Sequence, residues 1–109
     1  MGRPDALQGS LPLLVLKILA RRGPLHGYGL TTHIEGMSKE VLRVEQGSLY
    51  PALHRMEEEG WIKATWVTTP LKRRARMYEI TEQGHAQLNE EEARWRAVTA
   101  AVGDILREA

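Results

Sequence analysis

The chain has 109 residues, of which 42% are hydrophobic and 27% are charged, as expected for one small soluble domain. It contains no cysteine, which excludes disulfide bonds, thiolate metal sites and thiol catalysis and suits a reducing compartment. The net charge of +1 excludes a general polycation, so nucleic-acid binding would depend on where the charges lie.

The apolar segments are short. The longest run, residues 11–16, is far below the roughly 20 residues that span a bilayer. The first five residues are too few and too polar for a secretory signal. The sequence therefore predicts a cytoplasmic protein with no membrane partner.

Two helices are predicted in the N-terminal third. Residues 1–9 are expected to form a flexible arm, after which Ser10 can cap a helix and Pro12 fits its first turn. Apolar residues then recur at helical spacing until Gly23 and Pro24 end the helix. A second helix is predicted from His26 to about residue 37. Tyr28 lies at its start and has two possible roles. Its ring can pack beside Ile34. In a helix-turn-helix protein, however, the second helix crosses the DNA backbone, where this tyrosine would contact a phosphate.

The segment from Gln46 to Glu59 is the most informative part of the sequence. Its apolar residues lie on one face of a predicted helix, and Gly60 ends that helix. Hydrogen-bonding side chains occupy the first half, and three glutamates follow at 57–59. This polarity suits insertion into the DNA major groove with the N-terminal end first. The predicted DNA-contacting residues of this helix are Gln46, Ser48, Tyr50, His54 and Arg55.

Each of these side chains has a chemical reason to meet DNA. Glutamine can pair with adenine through two hydrogen bonds, and serine can donate or accept one. Tyr50 can donate its hydroxyl to a phosphate, although packing in the core is the alternative. Arg55 can reach guanine or the backbone, or it can remain a solvated surface residue.

A β-hairpin is predicted after this helix, with strands at 61–68 and 76–81. The turn of this hairpin is rich in cations. If these cations face DNA phosphates, they release counterions on binding, and the affinity for DNA becomes steeply salt-dependent. The alternative is a solvated basic loop. Strand alternation places Arg74 and Arg76 on one face, so they are expected to act together. The four cations are Lys72, Arg73, Arg74 and Arg76.

The last predicted helix, residues 82–108, would be about 40 Å long, which a body of this size cannot cover. Its apolar residues recur at spacings of three, four and seven, as in helices that pair with a second copy. Trp95 can also line a pocket for an aromatic small-molecule effector, although interface packing is the simpler interpretation. The predicted interface or effector-pocket residues are Leu88, Trp95, Val98, Val102 and Ile105.

The order of these elements predicts a mainly α fold with a small β-hairpin. It matches a winged helix-turn-helix DNA-binding domain over residues 1–81, followed by a C-terminal dimerisation helix over residues 82–109. The four histidines lack a metal-binding spacing, and no acid pair or phosphate loop is present. Neither a metal, a cofactor nor an enzymatic activity is therefore expected.

Several segments together form a specific pattern: 14–19, 23–30, 47–53, 56–62 and 73–84. The stretches GSLYPALHRMEEEGWI and RRARMYEITEQG are the most specific. All five segments resemble the PadR family of bacterial transcriptional regulators, and the one long helix after the hairpin resembles members with short C-terminal tails. The resemblance implies homodimeric DNA binding, usually repression, often relieved by a small molecule.

The predicted function is therefore sequence-specific transcriptional regulation. The chain is expected to repress by binding a pseudo-palindromic promoter site as a homodimer, with release by a small-molecule effector. A winged-helix protein-interaction module without direct DNA readout is the alternative.

Overall fold

Four helices and a two-stranded antiparallel hairpin make up the fold. The structure, a computed structural model, describes the backbone of residues 4–108 and the side chains of residues 10–108. The elements are α1 (Pro4–Arg22), α2 (Gly27–Met37), α3 (Gln46–Glu58), β1 (Ile62–Thr68), β2 (Arg74–Ile80) and α4 (Glu82–Glu108). The predicted fold class, a winged helix-turn-helix with a long C-terminal helix, is confirmed.

Helix α1 is longer than the sequence predicted. It begins at Pro4 and not at Ser10, so Pro12 lies inside the helix and not in its first turn. Of the arm predicted over residues 1–9, residues 4–9 belong to this helix, and residues 1–3 lie outside the described part of the chain. An internal proline costs stability, but the neighbouring Leu11 is only 1% exposed, so tertiary packing holds this turn in place.

The hydrophobic core surrounds α1, which contacts α2, α3, α4 and β2. Removing these side chains from water contributes roughly 1.5–3 kcal/mol for each large apolar group. The core residues on α1 are Leu11, Val15, Leu16, Ile18 and Leu19. Each of the other helices therefore has one face fixed against α1, which determines the face it leaves to solvent.

The hairpin, β1 and β2 with their connecting turn, is called the wing below. Ile62 pairs with Ile80 and Thr68 with Arg74, so β2 begins two residues earlier than predicted. At its base, the Leu25 N–H donates to the Tyr78 carbonyl at 3.0 Å, and the Tyr78 N–H donates back at 2.8 Å. This bridge fixes the wing beside the start of α2.

The start of α4 is fixed in the same region. The Thr81 hydroxyl accepts a hydrogen bond from the Gly84 N–H at 3.0 Å and so caps the N-terminal end of α4. Gly84 lies so close to Trp61 that a Cβ at this position would overlap the Trp61 carbonyl oxygen. These contacts set the direction in which α4 leaves the wing.

Leu88 does not belong to the exposed face of α4, so its assignment to the interface was wrong. It is 5% exposed and part of the core, because the first half of α4 packs against α1. The periodicity placed it correctly on the apolar stripe, but the core covers this end of the stripe. Further along α4, the exposed apolar residues are Trp95, Val98, Val102, Ile105 and Leu106, the last of which was not predicted.

Candidate nucleic-acid interface

Helix α3 presents its N-terminal end at the surface. Its N-cap is Glu45, in extended backbone conformation (φ −92°, ψ 138°), and the Glu45 side chain makes no capping hydrogen bond. Gln46 and Gly47 are exposed, and Ser48 is half-buried. The opposite face is buried through Leu49, Leu53 and Met56. The core thus holds α3 so that its polar first turn faces outward, as the sequence predicted.

Tyr50 lies one turn further along α3 and packs against the start of α2. It is 43% exposed, and a Cβ built at Gly27 would lie 2.5 Å from its hydroxyl oxygen. The tyrosine is therefore not a core residue, which removes the alternative interpretation of its role. A side chain at position 27 would displace this ring from its present position.

His54 and Arg55 follow on the same helix, and both are exposed. The Nε2 atom of His54 lies 3.3 Å from the Glu58 Oε2 atom, a surface ion pair that forms only when the histidine is protonated. Such exposed pairs contribute little to stability. Both side chains remain accessible to a partner.

The start of α2, the middle of α3 and the wing enclose a cleft of about 980 Å³. Tyr28 lies at its edge and is 72% exposed, so its ring does not pack beside the buried Ile34. The aromatic and histidine residues that line the cleft are His26, Tyr28, Tyr50, His54, Trp66 and Tyr78. The wing adds Arg73, Arg74 and Arg76 to the same surface. Two predicted DNA-contacting residues of α3 and three wing arginines therefore border one concave face. Four other predicted contact residues do not line it: Gln46, Ser48, Arg55 and Lys72.

Trp66 is the centre of the wing's cleft-facing side. The guanidinium carbon of Arg74 lies 4.7 Å from the Trp66 ring centroid, and that of Arg76 lies 5.4 Å from it. Both are cation–π contacts. Trp66 and Arg76 also pair across the two strands, so all three residues lie on one face of the hairpin. The prediction that Arg74 and Arg76 share a face is confirmed.

The four wing cations have different surroundings. Lys72, Arg73 and Arg74 are exposed. Arg76 is half-buried, and its Nη2 atom donates to the Glu57 Oε1 atom of α3 at 3.0 Å. Its Nε atom is buried without a hydrogen-bond partner among the described residues. Arg76 is thus half-buried and held by an ion pair to α3, whereas the other three cations are exposed.

The turn of the wing is held by its own hydrogen bonds. The Thr69 N–H donates to the Arg73 carbonyl and the Lys72 N–H to the Thr69 carbonyl, both at 2.8 Å. The Arg73 N–H donates to the Thr69 hydroxyl at 3.2 Å. Lys72 adopts a positive φ of 62°, a conformation uncommon outside glycine. The cations therefore sit on a defined turn.

Tyr78 lies at the bottom of the cleft. Burial raises the pKa of its hydroxyl; the positive charge of Arg76 lowers this pKa, while the negative charge of Glu57 raises it. The net effect is an increase above the ordinary value of 10.0. The hydroxyl therefore stays protonated at neutral pH.

Two further features concern the described residues only. No group of three or more histidine, aspartate or glutamate side chains among them could hold a metal ion. None of the helices from α1 to α4 has the length and apolarity that crossing a membrane requires.

The fold and the surface together define a winged helix-turn-helix protein of the kind found in transcriptional regulators. The sequence profile of the transcriptional regulator PadR-like family matches residues 15–90. The chain therefore belongs to the PadR-like family of transcriptional regulators.

Individual relatives agree with this assignment. The negative transcriptional regulator PadR of Bacillus subtilis (strain 168) is 26% identical over 86 residues, which are 79% of this chain and 47% of that protein. The chain thus spans about half the length of this curated relative. A PadR-like transcriptional regulator from Bacillus cereus strain ATCC 14579 is 31% identical, with a TM-score of 0.79 over 94% of this chain and 97% of that chain.

Two other solved structures extend the comparison. A PadR family transcriptional regulator from Eggerthella lenta DSM 2243 is 30% identical, with a TM-score of 0.76 over 94% of this chain and 86% of that chain. A transcriptional regulator from Clostridium thermocellum has a TM-score of 0.84 at 24% identity, over 93% of this chain and 97% of that chain. The latter shows the shared fold alone.

Proposed function

We propose that this chain is a DNA-binding transcriptional repressor that binds a pseudo-palindromic promoter site as a homodimer. One observation carries the proposal: Tyr50 and His54 of α3 border the same concave face as three arginines of the wing, Arg73, Arg74 and Arg76. Two elements that jointly approach a polyanion must lie on one side of the protein. Membership of the PadR-like family supports the same conclusion.

In this proposal α3 is the recognition helix, which reads base edges in the major groove. Gln46 and Ser48 are at the end that enters first, and glutamine is suited to adenine. Tyr50, with its partly exposed ring, and Tyr28 at the edge of the cleft are proposed to donate to phosphates. His54 and Arg55 follow on the same helix and are proposed to contact bases or backbone.

The wing is proposed to bind the neighbouring phosphates. Lys72, Arg73 and Arg74 are exposed on an ordered turn, and each phosphate contact that they make should release a counterion. Arg74 lies over the Trp66 ring, which limits its rotamers before DNA arrives. This contact reduces the entropy that Arg74 would lose on binding.

A second copy of the chain is the proposed partner of α4. The stripe from Trp95 to Leu106 leaves large apolar side chains 48–71% exposed, and pairing two such helices would bury them. Two recognition helices related by a twofold axis would read half-sites about 34 Å apart. Repression would follow from occupying the promoter, and the printed name of the B. subtilis relative describes a negative regulator.

An aromatic small molecule bound beside Trp95 is the proposed means of release. Trp95 is 48% exposed on the stripe that would face the second copy. A ligand there would act only if it favoured one spacing of the two recognition helices over another, because equal affinity for both arrangements shifts nothing.

The wing provides the decisive test of DNA binding. In the double variant Lys72→Gln/Arg73→Gln, affinity for duplex promoter DNA should fall, and the slope of log K against log salt should decrease by about 0.9 for each lost phosphate contact. Lys63→Gln is the matched control, because Lys63 lies on the opposite face of the same hairpin. An unchanged salt slope in the double variant would instead favour a protein-interaction module.

A further inference from the structure

The ion pair between Glu57 and Arg76 joins the recognition helix to the wing. The Glu57 Oε1 atom lies 3.0 Å from the Arg76 Nη2 atom, and the two side chains are 24% and 38% exposed. Glu57 is in the last turn of α3, and Arg76 is the third residue of β2. Partial burial makes such a pair stronger than an ion pair in open solvent.

The negative charge of Glu57 is unexpected at this location. Glu57 lines the same cleft as the wing arginines, on the face proposed to meet DNA. A carboxylate there should repel phosphates and weaken binding. Its presence is explained if it supports binding indirectly, through the position of another group.

Arg76 is poorly placed to contact a phosphate. One of its terminal nitrogens is used by Glu57, and its Nε atom is buried. Its guanidinium carbon is also 5.4 Å from the Trp66 ring centroid and 6.0 Å from that of Tyr78. A phosphate contact would require Arg76 to leave these partners.

The position of the pair along the hairpin indicates its effect. The Leu25–Tyr78 bridge and the Thr81 hydroxyl bonds hold the base of the wing. The Glu57–Arg76 pair is two residues closer to the turn than Tyr78, and Arg76 stacks on Trp66 beside Arg74. It therefore connects α3 directly to the part of the wing that carries the exposed cations.

We propose that the Glu57–Arg76 ion pair fixes the wing relative to the recognition helix, and that both are positioning residues and not DNA contacts. This inference rests on the proposed function, since what it positions is a DNA-binding surface. It also replaces the earlier expectation that Arg76 contacts DNA.

Glu57→Gln tests the idea through the sign of its effect. If Glu57 only adds negative charge, its removal should tighten binding; if it positions the wing, affinity should fall by roughly three- to tenfold. The probe is a duplex that the wild-type chain selects from a random-sequence DNA pool. Glu59→Gln is the matched control, because it removes the same charge from an exposed position two residues away and should not weaken binding.

Arg76→Gln gives a second, independent readout. A positioning residue should lower affinity without changing the salt slope, whereas a lost phosphate contact should reduce the slope by about 0.9. The charge-reversed pair Glu57→Arg/Arg76→Glu should recover affinity that each single reversal loses. This recovery also guards against a variant that fails to fold, which thermal unfolding of each single variant would reveal.

Hydrogen exchange of the wing amides, measured without DNA, separates the inference from the proposed function. Exchange around Trp66 and Arg76 should become faster in Glu57→Gln but not in Glu59→Gln. Unchanged exchange, tighter DNA binding by Glu57→Gln, or a reduced salt slope in Arg76→Gln would each overturn the inference. If the wild-type chain selects no duplex while exchange responds as expected, the DNA-binding function fails and the link between wing and helix stands.

Discussion

Lys17 of α1 and Glu92 of α4 form an ion pair in which the Lys17 Nζ atom lies 3.1 Å from the Glu92 Oε1 atom. The pair lies one turn beyond the buried Leu88, where α4 passes from the core into solvent. It therefore fixes the orientation of the exposed half of α4 relative to the central helix. Arg96 donates to the same carboxylate at 2.7 Å.

This carboxylate should make stability depend on acid pH. Hydrogen bonds from Lys17 and Arg96 lower the pKa of Glu92 below its ordinary value of 4.5. A lowered folded-state pKa contributes stability above the ordinary value and loses it as the pH falls through the folded pKa. The stability difference between wild type and Glu92→Gln should therefore be present near neutral pH and disappear at pH values below 4.5.

Urea unfolding at one fixed protein concentration would measure this difference, since dimerisation would make stability concentration-dependent. Glu90→Gln is the control, because Glu90 is an exposed acid on the same helix. A Glu92→Gln difference that persists undiminished at acid pH would contradict the role assigned to the pair.

Trp95→Asp should convert the proposed dimer into a monomer. Trp95 is 48% exposed on the apolar stripe, and burying a large apolar side chain is worth roughly 1.5–3 kcal/mol. A carboxylate there would have to be desolvated in the interface, at further cost. Sedimentation should show monomers. Circular dichroism should show that the core stays folded, and a DNA-binding assay should show the loss of high-affinity promoter binding.

Ala97→Asp is the matched control for assembly, since two residues along a helix turn the side chain by about 200°, away from the stripe. It adds the same charge to the exposed side opposite Trp95 and should leave the oligomeric state unchanged. Dimers of Trp95→Asp at the wild-type concentration would refute pairing through this stripe.

Gly84→Ala should destabilise the fold. The added Cβ would overlap the Trp61 carbonyl oxygen and approach the Ile80 side chain to 2.7 Å. The backbone at the start of α4 would have to move, at a cost of about 1–3 kcal/mol. Gly36→Ala should have the opposite effect, because nothing lies within 4 Å of its Cβ position and alanine favours a helix by up to about 1 kcal/mol. The free energy of unfolding of each variant, measured by chemical denaturation and compared with that of the wild type, tests both predictions.

Gln46→Ala should affect the choice of base and not general DNA affinity. A bidentate contact is worth about 1–3 kcal/mol of discrimination against a wrong base pair. Selection from a random duplex pool should show relaxed preference at one position of each half-site, while the salt slope stays unchanged. If the selected sequence is identical to that of the wild type, Gln46 does not read a base.

Local patterns predicted most of the elements. The predicted boundaries of α2, α3 and α4 agree with the structure to within about two residues, because each helix carries its own apolar period and start or stop residues. Two short strand patterns separated by a basic turn predicted the hairpin. Strand alternation correctly placed Arg74 and Arg76 on the same face of it. The start of α1 was placed wrongly, because Ser10 and Pro12 are local signals for a helix start and the helix nevertheless continues through both of them to Pro4.

Local sequence patterns could not predict which side chains on different helices and strands contact each other. Glu57 and Arg76 are 19 residues apart on different elements, and no periodicity links them. Leu88 lies on the same helical stripe as Trp95, yet the core buries one and leaves the other about half exposed. The sequence by itself determined which residues share a face, since that depends on the repeat of a single helix or strand. Only the tertiary structure decided what covers each face, because that depends on how separate elements pack around α1.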